Sequence, residues 1–187
     1  MNRRFGALAG AVLIAAVFVP GGVYSDDTPR ADELLPRDAV VPVAVVTKHF
    51  PDVSQEANAG LNQTTVGNAI GSISVVFTSA DGTKKVTVSV DQYADNTDAT
   101  AAFQISVEGS KSAPGFKPAP PLPLGQEALA GMSQVGAEQH FGLGARDGRL
   151  IISATHAGAI PVTSENSAKL VDLSREGLIN AKQVLGP

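Results

Sequence analysis

The residues of this chain that could carry chemistry are three histidines (His49, His140 and His156), the carboxylates Glu127, Glu138 and Asp147, and a glycine group at Gly142, Gly144 and Gly148. Three or four converging histidines would hold zinc. His49, however, has neither a histidine nor an acid four residues on, so no helical ligand pair starts there. Two carboxylates at a set separation would suit acid–base hydrolysis, but nothing in the spacing of Glu127, Glu138 and Asp147 fixes such a pair. There is no cysteine nucleophile and no Gly-x-Ser-x-Gly elbow. The glycine group imitates part of a dinucleotide fingerprint, which must lie between a strand and a helix; here it falls inside a hairpin pattern. These residues imply no catalytic site, no metal and no cofactor.

Two short motifs carry alternative readings. Lys117-Pro118-Ala119-Pro120-Pro121-Leu122-Pro123 has the basic-x-x-Pro-x-x-Pro form that docks in polyproline grooves, and it also suits a stiff crossing between elements. Asn62-Gln63-Thr64 is a glycosylation sequon, meaningful only in a eukaryotic host.

The elements that must position these groups read most clearly from Ser72 onward. Ile73, Val75 and Phe77 alternate with polar or small residues, Asp81-Gly82 follows, and Val86, Val88 and Val90 alternate on the far side. Asp-Gly between alternating runs predicts a hairpin with a type I′ turn. Its register pairs Phe77 with Val86, Val75 with Val88 and Ile73 with Val90. A helix follows, capped at Asp95 to Thr97, striped by Ala99, Ala102, Phe103 and Ser106, and ended by Gly109.

The pattern then recurs after a proline-rich crossing over Pro114 to Pro123. Phe141, Leu143 and Ala145 lead into Asp147-Gly148, and Leu150, Ile152 and Ala154 return. A two-residue turn there pairs Ala145 with Leu150, Leu143 with Ile152 and Phe141 with Ala154. In that register His140 lies opposite Thr155 on the polar face, and His156 lies opposite Gln139 on the inward face. A final helix capped by Ser164 carries the stripe Leu170, Leu173, Ser174, Gly177, Leu178 and Ala181, which follows one helical face. Gly177 in that stripe predicts close approach to a sheet.

The resulting fold class is α+β: an antiparallel sheet from two β-hairpin–helix units, about 65 residues apart from turn to turn, with helices packed on one face and an N-terminal helix. That N-terminal element spans about Arg37 to His49, where the β-branched run Val40 to Val46 suits a buried strand nearly as well. Asp52 to Gly71 reads as loop. The other sheet face, with Thr78, Lys85, Thr87, Ser89, Asp91 and His140, is expected to be wet or to meet a partner, and these six are the candidate ligand-binding residues.

Ahead of all this stands an address. Arg3 and Arg4 precede an apolar run from Phe5 to Val19, and Pro20-Gly21-Gly22 breaks it before Val23-Tyr24-Ser25. That is the layout of a secretory signal peptide cleaved near Ser25. About 15 apolar residues fall short of the roughly 18–20 that a spanning helix needs. The organisation is therefore signal peptide over 1–25, an N-terminal lead of possible helix and loop over 26–71, and the two hairpin–helix units over 72–187, which form a single domain with that lead. Of 14 Lys and Arg, Arg3 and Arg4 leave with the signal, against 18 Asp and Glu, so the mature chain is acidic. Such a chain, without basic clusters, is a poor partner for nucleic acid or anionic membrane. With no cysteine there is neither a lipid attachment point nor a disulfide.

The segments Val90-Asp91-Gln92-Tyr93-Ala94-Asp95, Ala101-Ala102-Phe103, Leu124-Gly125-Gln126-Glu127-Ala128 and Gly148-Arg149-Leu150-Ile151-Ile152, with the helix from Ser164, carry a resemblance. Their order over Ser72 to Leu185 resembles small exported bacterial proteins of unknown function. It is similar, more loosely, to the extracytoplasmic sensor domains of actinobacterial Ser/Thr kinases. The resemblance implies an α+β domain that binds something and has no catalytic residues to carry over. The expected function is thus an exported, periplasmic or secreted binding or accessory domain that engages a small ligand or an envelope protein. The alternative is an envelope hydrolase using Glu127, Glu138, Asp147 or His156.

Overall fold

The computed structural model of the chain describes residues 33–60, 65–113, 115–135 and 138–186. The signal segment 1–25 with its cleavage point, the sequon at Asn62 and residue Pro114 lie outside the described residues. Twelve elements follow in order. These are β1 (Glu33–Leu34), a single 3₁₀ turn (Arg37–Ala39), α1 (Val43–His49), β2 (Gln55–Gly60), β3 (Ala69–Thr78) and β4 (Lys84–Tyr93). Then come α2 (Asn96–Ser112), β5 (Lys117–Pro118), β6 (Glu127–Val135), β7 (Glu138–Asp147), β8 (Leu150–Gly158) and α3 (Ser164–Leu185).

One largely antiparallel sheet runs β1-β3-β4-β8-β7-β6-β5, with β2 also on the outer edge of β3. Among the described strands, β1 alone runs parallel to its neighbour. The two hairpins join through β4 and β8, paired from Lys84↔Gly158 to Gln92↔Leu150.

The first hairpin has the register that its alternation predicts: Ile73↔Val90, Val75↔Val88 and Phe77↔Val86. Its turn is not type I′, because Gly82 has φ 70° while Asp81 keeps a negative φ. The Asp81 carboxylate accepts from Ser79 Oγ, Thr83 N and Thr83 Oγ1, which holds the aspartate in an Asx-type turn. The second hairpin is two residues out of the expected register: Ala145 faces Ile152, Leu143 faces Ala154, and Phe141 faces His156. Asp147 pairs with Leu150, so Gly148 and Arg149 make the turn, and φ 63° at Gly148 alone is the type II′ pattern. Since strands repeat every second residue, a two-residue shift leaves every side chain on its predicted face.

The inward face is apolar. Ile73, Val75, Phe77, Val86, Val88, Val90, Leu143, Ile152 and Ala154 form one buried cluster with Val40, Val46 and the α3 residues Leu170, Leu173, Leu178 and Ala181. Helix α3 lies close enough that a Cβ on Gly177 would come within 2.6 Å of Ile152 Cδ1. Its cap is Thr163, one residue before the expected serine, and the Thr163 side chain accepts from Asn166 N. The N-terminal segment is tied down by Arg37, which donates to Val40 O at 2.7 Å and to both oxygens of Glu56 on β2. Lys48 and His49 on α1 reach Glu176 of α3 at 2.7 and 3.0 Å.

Helix α2 corrects the expectation of helices on one face. Its stripe Ala99, Ala102, Phe103 and Val107 packs with Tyr93 and Ile151, in a cluster separate from the main core. Tyr93 and Ile151 share the outward parity of Asp91, so α2 sits on the polar side and the sheet is covered from both sides. Burying Phe103 there stabilises the docking by roughly 2–3 kcal/mol. Nor does Gly109 end α2, which runs on to Ser112. Ser110 and Ser112 hydroxyls bond back to Ser106 O and Glu108 O in that last turn. The stretch read as loop holds β2, which pairs with β3 across a bulge between Glu56 and Asn58.

Candidate functional site

The outward face of the central strands is a grid of small polar residues. Register sets Ser74, Ser89, Ser153 and Gly144 in one row across β3, β4, β8 and β7. The next row is Val76, Thr87, Thr155 and Gly142, and it continues to Gly131 on β6. All six candidate ligand-binding residues fall on this face. Thr78 pairs with Lys85 at one end of it, Asp91 pairs with Ser72 at the other, and His140 pairs with Ser133 on the β6–β7 side.

The face is not wet in the way that alternation suggests. Thr87, Ser89, Asp91 and His140 are all buried, Thr78 is half-buried, and Lys85 alone is exposed. Two reasons are visible: α2 covers the Tyr93–Ile151 end, and the Phe116 ring sits where a side chain on Gly131 would be. Hydroxyls therefore satisfy one another. Ser89 Oγ donates to Ser74 Oγ at 3.0 Å. Ser72 Oγ donates to Asp91 Oδ1 at 2.6 Å, and Thr65 Oγ1 stands 3.4 Å from the same oxygen. Burial pushes the Asp91 carboxyl up to about 6, against the pull of those two hydroxyls. The Tyr93 hydroxyl donates to Val66 O at 2.8 Å, which fastens the segment over Asp91.

At the opposite end two polar atoms stay unsatisfied. Ser133 Oγ and His140 Nε2 are buried without a hydrogen-bond partner; the approach to His140 is Glu138 Oε2 at 3.4 Å. Buried polar atoms left unpaired are uncommon and mark places where water or a ligand belongs. Sequence reading missed Ser133 because β6, Glu-Ala-Leu-Ala-Gly-Met-Ser-Gln-Val, has few β-branched or aromatic residues and shows no clear alternation. Thr155 was legible, since it carries the polar parity of the second hairpin, and Ser153 shares that parity.

The four candidates for hydrolysis are not brought together. Glu127 accepts from Arg146 Nε at 2.6 Å and from Gln104 at 2.8 Å. Asp147 is bonded by Lys182 at 2.8 Å, in a depression of about 390 Å³ shared with Asp95 and Arg149. Glu138 lies at the far end of β7, and His156 points into the apolar core. Among the described residues no three of His, Cys, Asp and Glu cluster closely enough to hold a metal ion. The Lys117–Pro123 stretch is strapped to β6, through Lys117↔Met132, Pro118↔Gly131 and the Ala119 amide on Ala130 O at 2.8 Å.

No family model matches this chain, and no curated protein matches it in sequence. A solved structure does share the fold: the extracellular domain of PknH from Mycobacterium tuberculosis, with a TM-score of 0.52 at 12% identity. The match covers 73% of this chain and 93% of that one. The resemblance to extracytoplasmic kinase sensor domains thus stands at the level of fold. Among the described residues no helix is long and apolar enough to cross a membrane.

Proposed function

We propose that this chain is an exported binding or accessory domain that takes a small, uncharged, hydrogen-bonding ligand on the hydroxyl- and glycine-rich face of its sheet. The observation that carries the reading is Ser133 Oγ, buried without a hydrogen-bond partner at the end of that face, beside His140, whose Nε2 makes no hydrogen bond and has only the long contact to Glu138 Oε2 at 3.4 Å. The row Thr87, Thr155, Gly142 and Gly131 runs beside them, two residues along β7 and β6, with Thr78 and Lys85 at the β3–β4 edge. The lining argues the chemistry. Hydroxyls offer donors and acceptors without net charge, the glycines add no side chain over the strands, and with one exposed lysine the face lacks the cation cluster that a phosphate or nucleic acid requires. Export rests on the signal-like N-terminus, and the extracellular origin of the structural neighbour supports it.

Thermal-shift screening of the mature chain against metabolite and envelope-fragment libraries tests the site. A hit should raise the melting temperature of the native chain and of Arg175→Ala, an exposed change on α3, and should lose its effect in Gly142→Leu, which fills the face, and in Ser133→Ala. A hit that keeps its full shift in both Gly142→Leu and Ser133→Ala would place binding elsewhere. Silence across the libraries, together with no capture of an envelope protein, would overturn the binding role. N-terminal sequencing of exported material tests the address, with Asp26 the expected first residue.

A further inference from the structure

His156 is a titratable side chain with nowhere to put a charge. It is fully buried on the apolar side of β8. Its ring stacks against Phe141 at 5.9 Å and meets Phe50 at 6.1 Å, and neither ring nitrogen has a hydrogen-bond partner. An imidazole in such a place gives up both of its hydrogen bonds to water, a cost that leucine or phenylalanine would avoid.

The two flanking rings are held differently. Phe141 lies in β7, in the interior of the sheet, paired on both sides. Phe50 belongs to the short connection between α1 and β2. That connection is fastened by the Phe50 amide on Val46 O and by Val53 N on Phe50 O. Phe50 also lines a cavity of about 230 Å³ together with His49, Asp52, Lys84 and Lys169. One aromatic ring therefore touches both the buried imidazole and a space that water can enter.

We propose that His156 is an acid trigger: on taking up a proton it drives the α1–β2 connection and Phe50 outward, joining the cavity to the imidazole while the sheet stays paired. Hydrating an imidazolium by moving Phe50 breaks a few local contacts. Reaching it through the sheet would break the continuous β4–β8–β7 ladders. The surrounding charges offer no internal refuge. From β7 come His140 and Glu138, 3.4 Å apart. From β4 come Lys84 and Lys85, with Lys84 paired to Asp52 of the connection. From α1 come Lys48 and His49, both held on Glu176 of α3, and Lys169 of α3 is paired with Glu165. Every acid on this list already has a basic neighbour. Burial holds the imidazole down to about 4, and the charge of His140 pushes the same way.

The test is amide hydrogen exchange on the mature chain at about pH 7 and about pH 4.5, corrected for intrinsic rates. In the native chain, amides over 46–54 should lose about tenfold protection or more on acidification, relative to those of β2, β4 and β8. His156→Leu should keep that protection at both pH values, and Phe50→Ala should lack it at both. Equal acid loss in His156→Leu, or loss spread evenly through β4 and β8, would overturn the proposal.

Discussion

Asp91 and His156 sit on neighbouring strands, β4 and β8, and face opposite sides of the sheet. Both are buried and both lie far from their usual titration range, yet their surroundings differ in kind. Asp91 is met by hydroxyls, with Ser72 at 2.6 Å and Thr65 at 3.4 Å. His156 is met by two aromatic rings and no polar atom. The polar face answers a buried charge with adjustable donors; the apolar face answers only by excluding it. The same acidification therefore relieves one face and burdens the other.

The signs follow from linkage. Asp91 has its carboxyl raised from 3.8 to about 6, so between those values the native state binds more protons than the unfolded one and stability rises as pH falls. His156 is lowered from 6.5 to about 4, so in that window the unfolded state binds more protons and stability falls with pH. Each gap corresponds to about 3 kcal/mol, so between about pH 4 and about pH 6 the two slopes oppose each other and nearly cancel.

The strongest way to break this balance is to remove its acid-sensitive half. His156→Leu should raise stability at about pH 4 by about 3–4 kcal/mol, and by only about 1 kcal/mol at neutral pH, as read by urea denaturation at each pH. The variant should then grow more stable from about pH 6 to about pH 4, where the native chain stays flat. Asp91→Asn is the converse and somewhat smaller, because the amide keeps a polar group buried. It should stabilise by about 2 kcal/mol at neutral pH, and that gain should vanish at about pH 4. Ser72→Ala removes the donor that best stabilises the Asp91 carboxylate. A loss of about 1–2 kcal/mol at neutral pH that shrinks on acidification is expected. His140→Gln should have the least effect. Without the His140 ring, whose charge lowers His156, the His156 midpoint seen by NMR should move up. An unmoved midpoint would mean that burial alone sets it.

Much of this arrangement was legible in the chain, and what was not has physical causes. Alternation assigned every side chain of both hairpins to its face, because parity survives even a two-residue error in register. The turns were harder. Asp-Gly predicts paired left-handed residues, but Asp81 instead spends its carboxylate on Ser79 and Thr83, and at the second turn Gly148 opens a type II′ pair with Arg149. The position of α2 was missed because the outward parity reads as polar if Tyr93 and Ile151 are overlooked. Those two residues make the patch on which Ala102 and Phe103 rest. Of the candidate site, Thr78 to Asp91 and His140 follow from parity. Their burial does not, since it depends on α2 and Phe116 arriving from elsewhere in the chain.

The seam between β4 and β8 has a consequence for how the structure is reached. Each hairpin closes over a few residues, but the seam joins strands about 60–75 residues apart, and no cysteine is present to hold them near each other. Loop closure over such distances makes long-range antiparallel pairing slow compared with hairpin formation. Each hairpin therefore exists for a time with one long edge open, and the docking of β4 on β8 both completes the sheet and closes the period in which a newly made copy could pair with its neighbour instead.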